Sequence, residues 1–173
     1  MEKQRRETLD TLYRAYAEQL YYYLQKLSGS PSVAEDLVQE TFVRATISLH
    51  EWKDNSSARA WLYKVARNAY LDTWRKKQKW QWVPFLQRDE MVSPYGIPEI
   101  EYEKKQNHHL VEELFSLLPE QYRSVLYLRE IENYSYEEIA EVLEMNEGQV
   151  KITIHRARKR LQDLGEREEK KYE

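Results

Sequence analysis

The chain has 173 residues, of which 41% are hydrophobic and 33% charged, and its formal net charge is −3. This length allows one domain or two small ones, with enough apolar residues to fill their cores. The absence of cysteine excludes disulfide bonds, thiolate metal sites and a cysteine nucleophile. Because the chain as a whole is weakly acidic, any contact with nucleic acid must come from local basic patches.

The sequence gives no sign of a membrane segment, a leader or an enzyme. The first ten residues, MEKQRRETLD, lack an apolar core, and no apolar run approaches the length of a membrane span. We therefore expect a soluble cytoplasmic protein. The histidines have no metal-ligand spacing with carboxylates, and no Gly-rich phosphate loop exists. No metal, cofactor or small-molecule substrate is expected.

Apolar residues recur at helical spacing in three segments of the first half, at about 6–27, 32–49 and 58–78. Ser32 and Glu35 form a candidate capping box for the second helix, and Ser57 can cap the third. The inner faces predicted from this spacing include Tyr13, Thr46 and Trp74.

The third helix is basic and has Trp and Asn among its cations. This pattern suits single-stranded nucleic acid, because cations follow the backbone while aromatic and polar groups take unstacked bases. The alternative is a solvated face whose long side chains cover apolar surface. The acidic outer face of the second helix leaves a similar choice, between a solvated face and a docking surface for a basic partner.

Helical periodicity ends at residues 79–103, where Pro84, Pro94, Gly96 and Pro98 prevent regular structure. This composition predicts a linker between two domains. Fully extended, about 25 residues reach on the order of 80 Å, so the two halves can hold sites far apart on one ligand.

A helix-turn-helix pattern follows between Ser135 and Leu161, after helices that begin near Tyr102 and at Pro119. Capping boxes are predicted at Ser135 with Glu138 and at Asn146. The second helix is apolar on one side, and its other side carries only basic residues. Because solvated helices usually mix both signs, this pattern favours DNA binding over a helical hairpin with a solvated basic face.

Four segments follow one another in order: DLVQETFVRA at 36–45, AWLYKVARNAYLDTWRK at 60–76, LPEQYRSVLYLREIENYSYEEIAEVL at 118–143 and VKITIHRARKRL at 150–161. Together they resemble bacterial RNA polymerase sigma factors, above all the small extracytoplasmic-function group. The resemblance implies an all-α fold of two small helical domains. These are region two at 6–78 and region four at 104–165, with a linker at 79–103 and a charged tail, expected to fray, at 166–173.

The resemblance also implies an alternative sigma factor that directs core RNA polymerase to promoters by recognising −35 and −10 elements and starting promoter melting. The residues implied in polymerase binding are Asp36, Gln39, Glu40 and Arg44. Those implied at the −10 element are Trp52, Asn55, Arg59, Lys64, Arg67, Asn68, Arg75 and Lys76. Those implied at the −35 element are Gln149, Lys151, Ile152, Thr153, His155, Arg156 and Lys159. The implied partners are core RNA polymerase, promoter DNA and an anti-sigma factor, which is often membrane-bound.

The chain departs from the family pattern in the helix-turn-helix. Glu144 stands where the family often has glycine, so a left-handed backbone there costs about 1 kcal/mol. Gln149, Ile152 and Thr153 replace the frequent Thr and Ser-Arg, which removes a guanine-reading arginine. Gln149 is a candidate reader of adenine, and Ile152 a candidate contact for a thymine methyl group.

Two other functions fit parts of the pattern, namely a free-standing helix-turn-helix regulator and an adaptor that sequesters a partner protein. A regulator would bind duplex DNA alone, often as a dimer, but the sequence lacks a dimerisation helix. An adaptor would tolerate charge reversal at Lys64 and Arg67. The sigma-factor hypothesis requires two separately folded halves whose Arg and Lys side chains are free of internal pairing.

Overall fold

The computed structural model describes residues 2–52, 57–80 and 102–173, and the regular structure within these ranges is helical. The first half contains α1 (Glu2–Ser28), α2 (Pro31–Ser48), a 3₁₀ turn (Leu49–Glu51) and α3 (Ala58–Trp80). The second half contains α4 (Tyr102–Ser116), α5 (Glu120–Leu126), a π-helical segment (Tyr127–Ile131), α6 (Tyr136–Leu143) and α7 (Glu147–Lys171). The all-α prediction is confirmed.

Short polar residues define the starts of α2 and α3. The hydroxyl of Ser30 accepts a hydrogen bond from the backbone N–H three residues on, at 3.3 Å, and Pro31 takes the first helical position. Proline suits that position because its missing N–H would have no partner in the helix. The predicted cap at Ser32 with Glu35 is therefore wrong by two residues. Ser57 accepts from the backbone N–H three residues on at 3.2 Å, as predicted for α3.

The last helix is longer than the sequence predicts. α7 continues through Gly165 to Lys171, where a frayed tail was expected. A Cβ atom at Gly165 would lie 3.9 Å from the Leu114 side chain of α4, and Leu161 and Leu164 pack against the core. This packing carries the helix through a glycine that would weaken it in isolation.

The two halves pack against each other. α3 packs on α6, and α1 on α5, across the boundary between them. Tyr23 and Tyr63 of the first half meet Tyr127 and Tyr134 of the second, with neighbouring ring centroids 5.1–5.6 Å apart. These rings belong to one continuous buried cluster. The two helical units are as predicted, but the expectation that each folds around a separate interior is wrong.

This shared core changes which residues are buried. Tyr13 and Trp74, predicted to face inwards, are 52% and 46% exposed, and Thr46 is also exposed. Tyr63 and Tyr70 are buried instead. Burial along α3 decreases beyond Tyr70, because the neighbouring helices cover its earlier turns and leave its last turns to solvent.

The turn of the helix-turn-helix stores a small backbone strain at Glu144, whose φ of 55° is left-handed. We predict that Glu144→Gly is more stable to urea unfolding than Glu144→Ala by about 1 kcal/mol, because glycine alone adopts this conformation without a Cβ clash. The alanine variant is the control, since both changes remove the same carboxylate. Equal unfolding free energies would show that the turn relaxes without cost.

Candidate nucleic-acid interface

Two reciprocal capping boxes hold the helix-turn-helix, as predicted. The Ser135 N–H donates to the Glu138 carboxylate at 3.1 Å, and the Glu138 N–H donates to the Ser135 hydroxyl at 3.1 Å. At the start of α7, the Asn146 N–H donates to the Gln149 side chain at 2.9 Å, and the return bond is 2.8 Å. Because each box satisfies N–H groups that a helix start leaves unpaired, both helices begin at defined residues.

The outer face of α7 presents most of the residues that the resemblance implies at the −35 element. The exposed side chains are Lys151, Ile152, His155, Arg156 and Lys159. Thr153 is the exception, because it is 9% exposed and its hydroxyl donates to the Gln149 carbonyl oxygen at 2.7 Å. Thr153 therefore belongs to the inner side of α7 with Val150 and Ile154, and not to its exposed face.

Gln149 acts as part of a cap in this structure. Bidentate reading of adenine needs both the oxygen and the nitrogen of a glutamine amide. The oxygen of Gln149 already accepts from the Asn146 N–H. The amide therefore has to leave its cap before it can read adenine in the bidentate way.

A pair of cations flanks Tyr136, at the first position of α6. The Arg129 guanidinium lies 4.6 Å from the centroid of the Tyr136 ring, and the Lys151 ammonium lies 5.6 Å from it. Arg129 also donates to the Tyr134 carbonyl oxygen at 2.9 Å. Cation–π contacts of this kind orient long basic side chains. Sequence reasoning missed Arg129 and Tyr136 because no helical periodicity connects them with Lys151.

Three of the first-half cations implied at the −10 element are paired with the second half. Arg59 donates to both oxygens of Glu138, at 2.7 and 2.8 Å. Arg67 donates to both oxygens of Glu120, at 2.8 and 3.0 Å, and its side chain is only 9% exposed. Lys64 lies more loosely against the second half. The requirement that these cations be free of internal pairing is not met in this conformation.

These contacts change the affinity of the side chains for protons. Hydrogen bonds from Arg59 lower the pKa of Glu138 from 4.5 to about 2. Burial works against the charge of Arg67, but the hydrogen bonds and charge of Glu120 outweigh it and raise the Arg67 pKa. Glu138, Arg59 and Arg67 are therefore charged at neutral pH.

The Glu138 pair should make the packing of the halves sensitive to acid. A carboxylate whose pKa is depressed by folding stabilises the folded state above its ordinary pKa, and this stabilisation is lost as the pH falls towards the depressed value. We predict that the stability difference between the unchanged chain and Glu138→Gln shrinks between pH 4.5 and pH 2. Glutamine preserves the capping box, so urea unfolding at each pH isolates the charge. A constant difference would contradict the assignment.

The remaining residues implied at the −10 element do not take part in those three ion pairs between the halves. Arg75 and Lys76 are exposed in its last turns, next to Trp74. Trp52 stacks on the buried Trp61 ring, with centroids 6.3 Å apart. Asn55 lies outside the described residues. Sequence reasoning missed Trp74 as a functional candidate because the helical spacing placed it inside, although its basic neighbours signal a nucleic-acid surface.

A cleft of about 480 Å³ lies where α3 meets α2 and α6. Its first-half wall includes Trp61, Lys64 and the half-buried Asn68, which combine an apolar surface with polar groups. Glu141 of α6 forms part of the opposite wall. The first-half wall of the cleft offers stacking and hydrogen-bonding groups suited to a base. The second half contributes the Glu141 carboxylate to the same cleft.

The exposed face of α2 carries a stripe of two acids followed by two apolar residues. Asp36, Glu40, Val43 and Ile47 are separated by four, three and four positions, so they line one side of the helix. Val43 is 57% exposed and Ile47 74% exposed. Gln39 is exposed beside the stripe. Sequence reasoning found the acids but missed both apolar residues, whose signal is their helical phase relative to Glu40.

Arg44 lies at the edge of this stripe and is already engaged. It donates to Glu40 at 2.9 Å and to Asp72 of α3 at 2.6 Å. These bonds raise its pKa and link α2 to α3. Arg44 therefore orients the exposed acid Glu40 and ties the two helices together.

Within the described ranges, no cluster of three or more His, Asp or Glu side chains is arranged to hold a metal ion. The helices in those ranges are also too short or too polar to span a membrane.

Comparison with known proteins agrees with this arrangement in both halves. Residues 12–80 match Sigma-70 region 2, and residues 108–161 match Sigma-70 region 4. RNA polymerase sigma factor YlaC of Bacillus subtilis is 33% identical over 154 residues, covering 88% of this chain and 89% of its own. The ECF RNA polymerase sigma factor SigM of Bacillus subtilis is 33% identical over 162 residues, covering 91% and 94%.

Two solved structures share the fold. The sigma factor RpoE in complex with the anti-sigma factor NepR, from Bartonella quintana, matches with a TM-score of 0.69 at 24% identity, over 92% of this chain and 98% of that one. CnrH in complex with the cytosolic domain of CnrY matches with a TM-score of 0.67 at 22% identity, over 93% and 89%. With both regions matched in order and relatives similar along most of their length, the chain belongs to the extracytoplasmic-function group of the sigma-70 family, the sigma factors that direct RNA polymerase to promoters.

Proposed function

We propose that this sigma factor divides promoter recognition between its halves. Residues 6–78 dock on core RNA polymerase and take the −10 element, residues 104–165 read the −35 element, and residues 79–103 link them. The observation that carries this assignment is the presence of two chemically distinct basic surfaces, one on α3 and one on α7. The protein itself needs no catalytic group, because polymerase supplies the chemistry.

At the −35 element, α7 lies in the major groove with its exposed face towards the bases. Ile152, which is 53% exposed, suits a thymine methyl group, while Arg156 and His155 suit base edges or phosphates. Lys151 and Lys159 suit the flanking phosphates, which position the helix without reading sequence. Capping of α7 supports this proposal, since it fixes the start of the helix relative to α6.

At the −10 element, the first half holds the separated non-template strand. Arg59, Lys64 and Arg67 follow the phosphates, and Asn68 faces an unstacked base in the cleft beside Trp61. Arg75 and Lys76 extend the basic track along α3, and the exposed Trp74 adds a stacking surface. Melting follows because single-stranded bases gain contacts that a duplex cannot offer, which offsets the few kcal/mol needed to flip a base.

Polymerase binds the stripe on α2. Asp36, Gln39 and Glu40 suit a basic partner surface, and Val43 and Ile47 supply apolar contact in the next turns of the same helix. Large exposed apolar side chains rimmed by polar residues are typical of protein interfaces. This combination supports docking over the alternative of a solvated acidic face.

We further propose a cytoplasmic location and regulation by an anti-sigma factor, which acts either from the membrane or in solution. Support comes from two proteins of the same fold, RpoE and CnrH, whose structures were solved with the anti-sigma factors or domains that bind them. In the cytoplasm the chain has access to both polymerase and DNA.

Run-off transcription tests the proposed function. Purified core polymerase with this protein should initiate at defined sites on fragments of its own genome, whereas core polymerase alone should not. Single changes to alanine at Arg75 and Arg156 should each lower the yield, the first without affecting −35 binding. Absence of stimulation on every genomic fragment would reject the proposal, as would tight sequence-specific duplex binding by the protein without polymerase.

A further inference from the structure

The ion pairs between the two halves all run in one direction. In every such pair among the described residues, the cation comes from the first half and the carboxylate from the second. The pairs are Lys26–Glu112 at 2.9 Å, Arg59–Glu138 at 2.7 Å, Lys64–Glu144 at 4.0 Å and Arg67–Glu120 at 2.8 Å. Such one-sidedness means that the second half presents an acidic surface to a basic one.

The carboxylates of this surface bind as phosphates would. Glu120 and Glu138 each accept two hydrogen bonds from one guanidinium, in the fork geometry that arginine uses equally for carboxylate and phosphate. Glu141 also forms part of the cleft beside Asn68, which is the proposed site of a base. The acids therefore occupy the positions where the proposed −10 strand would run.

The packed halves cannot reach both promoter elements. Elements centred near positions −10 and −35 are about 25 base pairs apart, which at about 3.4 Å per pair is roughly 85 Å. In this structure, side chains of α3 and α6 are in hydrogen-bond contact. Binding both elements therefore requires the halves to separate.

We infer that the second half of this chain is an intramolecular inhibitor of the first, in which Glu120 and Glu138 take the place of DNA phosphates on Arg67 and Arg59. This inference rests on the proposed −10 role of the two arginines. Polymerase activates the protein by holding the halves apart, and the freed arginines then bind the non-template strand. The free protein is consequently weak at binding DNA, whether or not an anti-sigma factor is present.

The composition of the interface suits reversible opening. Its central rings belong to tyrosines, and two of their hydroxyls bond within the closed form: Tyr23 with Ser124, and Tyr63 with Glu132 at 3.2 Å. The buried Tyr134 hydroxyl has no hydrogen-bond partner among the described residues and would gain one from water on opening. Tyrosine packs as an apolar ring and yet tolerates water at its hydroxyl. Partly buried ion pairs gain little over their hydrated, separated charges. Separation of the halves therefore exposes groups that water or DNA can satisfy.

The direct test opens the closed form by removing charge. Glu120→Gln with Glu138→Gln keeps the side-chain shapes and the capping box, because glutamine also serves there. The chain has no cysteine, so Ser32→Cys and Gln162→Cys add unique dye sites, one on each half. We expect lower energy transfer between the dyes. We also expect about tenfold tighter binding to random-sequence single-stranded DNA of about 12 nucleotides. This is the gain expected if the unchanged protein is open about a tenth of the time, because apparent affinity scales with the fraction of open molecules.

The matched control is Glu113→Gln with Glu137→Gln, which removes the same charge from exposed positions of the same half. It should leave both energy transfer and DNA binding at the values of the unchanged chain. An equal gain in DNA binding by this control would overturn the inference, because net charge alone would then explain the result. Unchanged energy transfer in the Glu120 and Glu138 variant would overturn it too.

A second experiment closes the protein instead. Lys26→Cys with Glu112→Cys places thiols where side chains of the two halves meet, and a flexible, cleavable bis-maleimide can join them. The joined protein should lose run-off transcription with core polymerase and recover it after cleavage. Full activity while joined would overturn the inference, and the untreated double variant controls for the substitutions themselves.

Failure of the proposed function can be told apart from failure of this inference. Arg59→Ala with Arg67→Ala should abolish run-off transcription if these arginines bind the −10 strand, whereas the glutamine variant should retain it. Loss of transcription in the alanine variant, with unchanged energy transfer in the glutamine variant, would reject only the inhibition. Full transcription by the alanine variant would reject the −10 role, and the inhibition that rests on it.

Discussion

Changing Val43 and Ile47 together to aspartate should weaken binding to core RNA polymerase by about a hundredfold. Truncating a central apolar residue of an interface typically costs more than 1 kcal/mol, and an unpaired carboxylate in its place adds a desolvation cost. A loss of about 1.4 kcal/mol at each position raises Kd tenfold for each substitution, and so about a hundredfold for both. Both side chains are more than half exposed in the free protein, so folding should change little. Fluorescence anisotropy of labelled protein titrated with core polymerase measures the effect.

Thr46→Asp is the control for this prediction. Thr46 is exposed on the same helix, at the Gln39 edge of the stripe, about 100° around the axis from Ile47 and about 60° from Val43. The change adds the same kind of charge outside the stripe, and its effect on affinity should be small. If it weakened binding as much as a change at Ile47, polymerase would be contacting α2 broadly, and the stripe would not be the docking surface.

Arg156→Ala should weaken binding of holoenzyme to its promoter by about tenfold, and Lys159→Ala should have a similar but sequence-independent effect. Loss of an arginine that reads a base typically costs 1–3 kcal/mol of discrimination. Loss of a phosphate contact lowers affinity for all sequences and reduces the slope of log affinity against log salt by about one. Titrations of promoter fragments with and without a −35 element, at several salt concentrations, separate the two roles.

Arg158→Ala is the matched control on the same helix. The Arg158 guanidinium donates to the Glu130 carboxylate at 2.8 Å, so it is directed to the π-helical segment and away from the proposed base contacts. Its loss removes the same charge as loss of Arg156, yet promoter affinity should fall much less. Equal losses for the two variants would mean that α7 acts only through its total charge.

Local signals predicted the helix-turn-helix well. Ser135 and Asn146 begin their helices with the predicted partners, because a capping box needs only residues three positions apart. The left-handed turn at Glu144 likewise follows from a family pattern that prefers glycine there. The cap of α2 was misplaced because both Ser30 and Ser32 are good caps, and only Pro31 at the first helical position favours the earlier one.

Helical spacing was less reliable for faces than for helix positions. Trp74 is apolar and in phase with the core, yet it is exposed because no helix covers the end of α3. Tyr63 lies eleven positions before Trp74 and therefore on the same side of α3, yet it is buried because the second half packs on that side of its early turns. A periodic pattern indicates one buried face of a helix, but it does not show how many other helices will pack against that helix or where along it they will pack.

The sequence by itself determined the helices, both caps of the helix-turn-helix, the basic surfaces and the family, since each depends on residues a few positions apart or on motifs in order. Only the tertiary structure decided that Arg59 and Arg67 are paired and that both halves share one core. The physical reason is distance along the chain. Arg67 and Glu120 are 53 positions apart, so their pairing depends on how α3 packs against the second half, which local spacing does not encode.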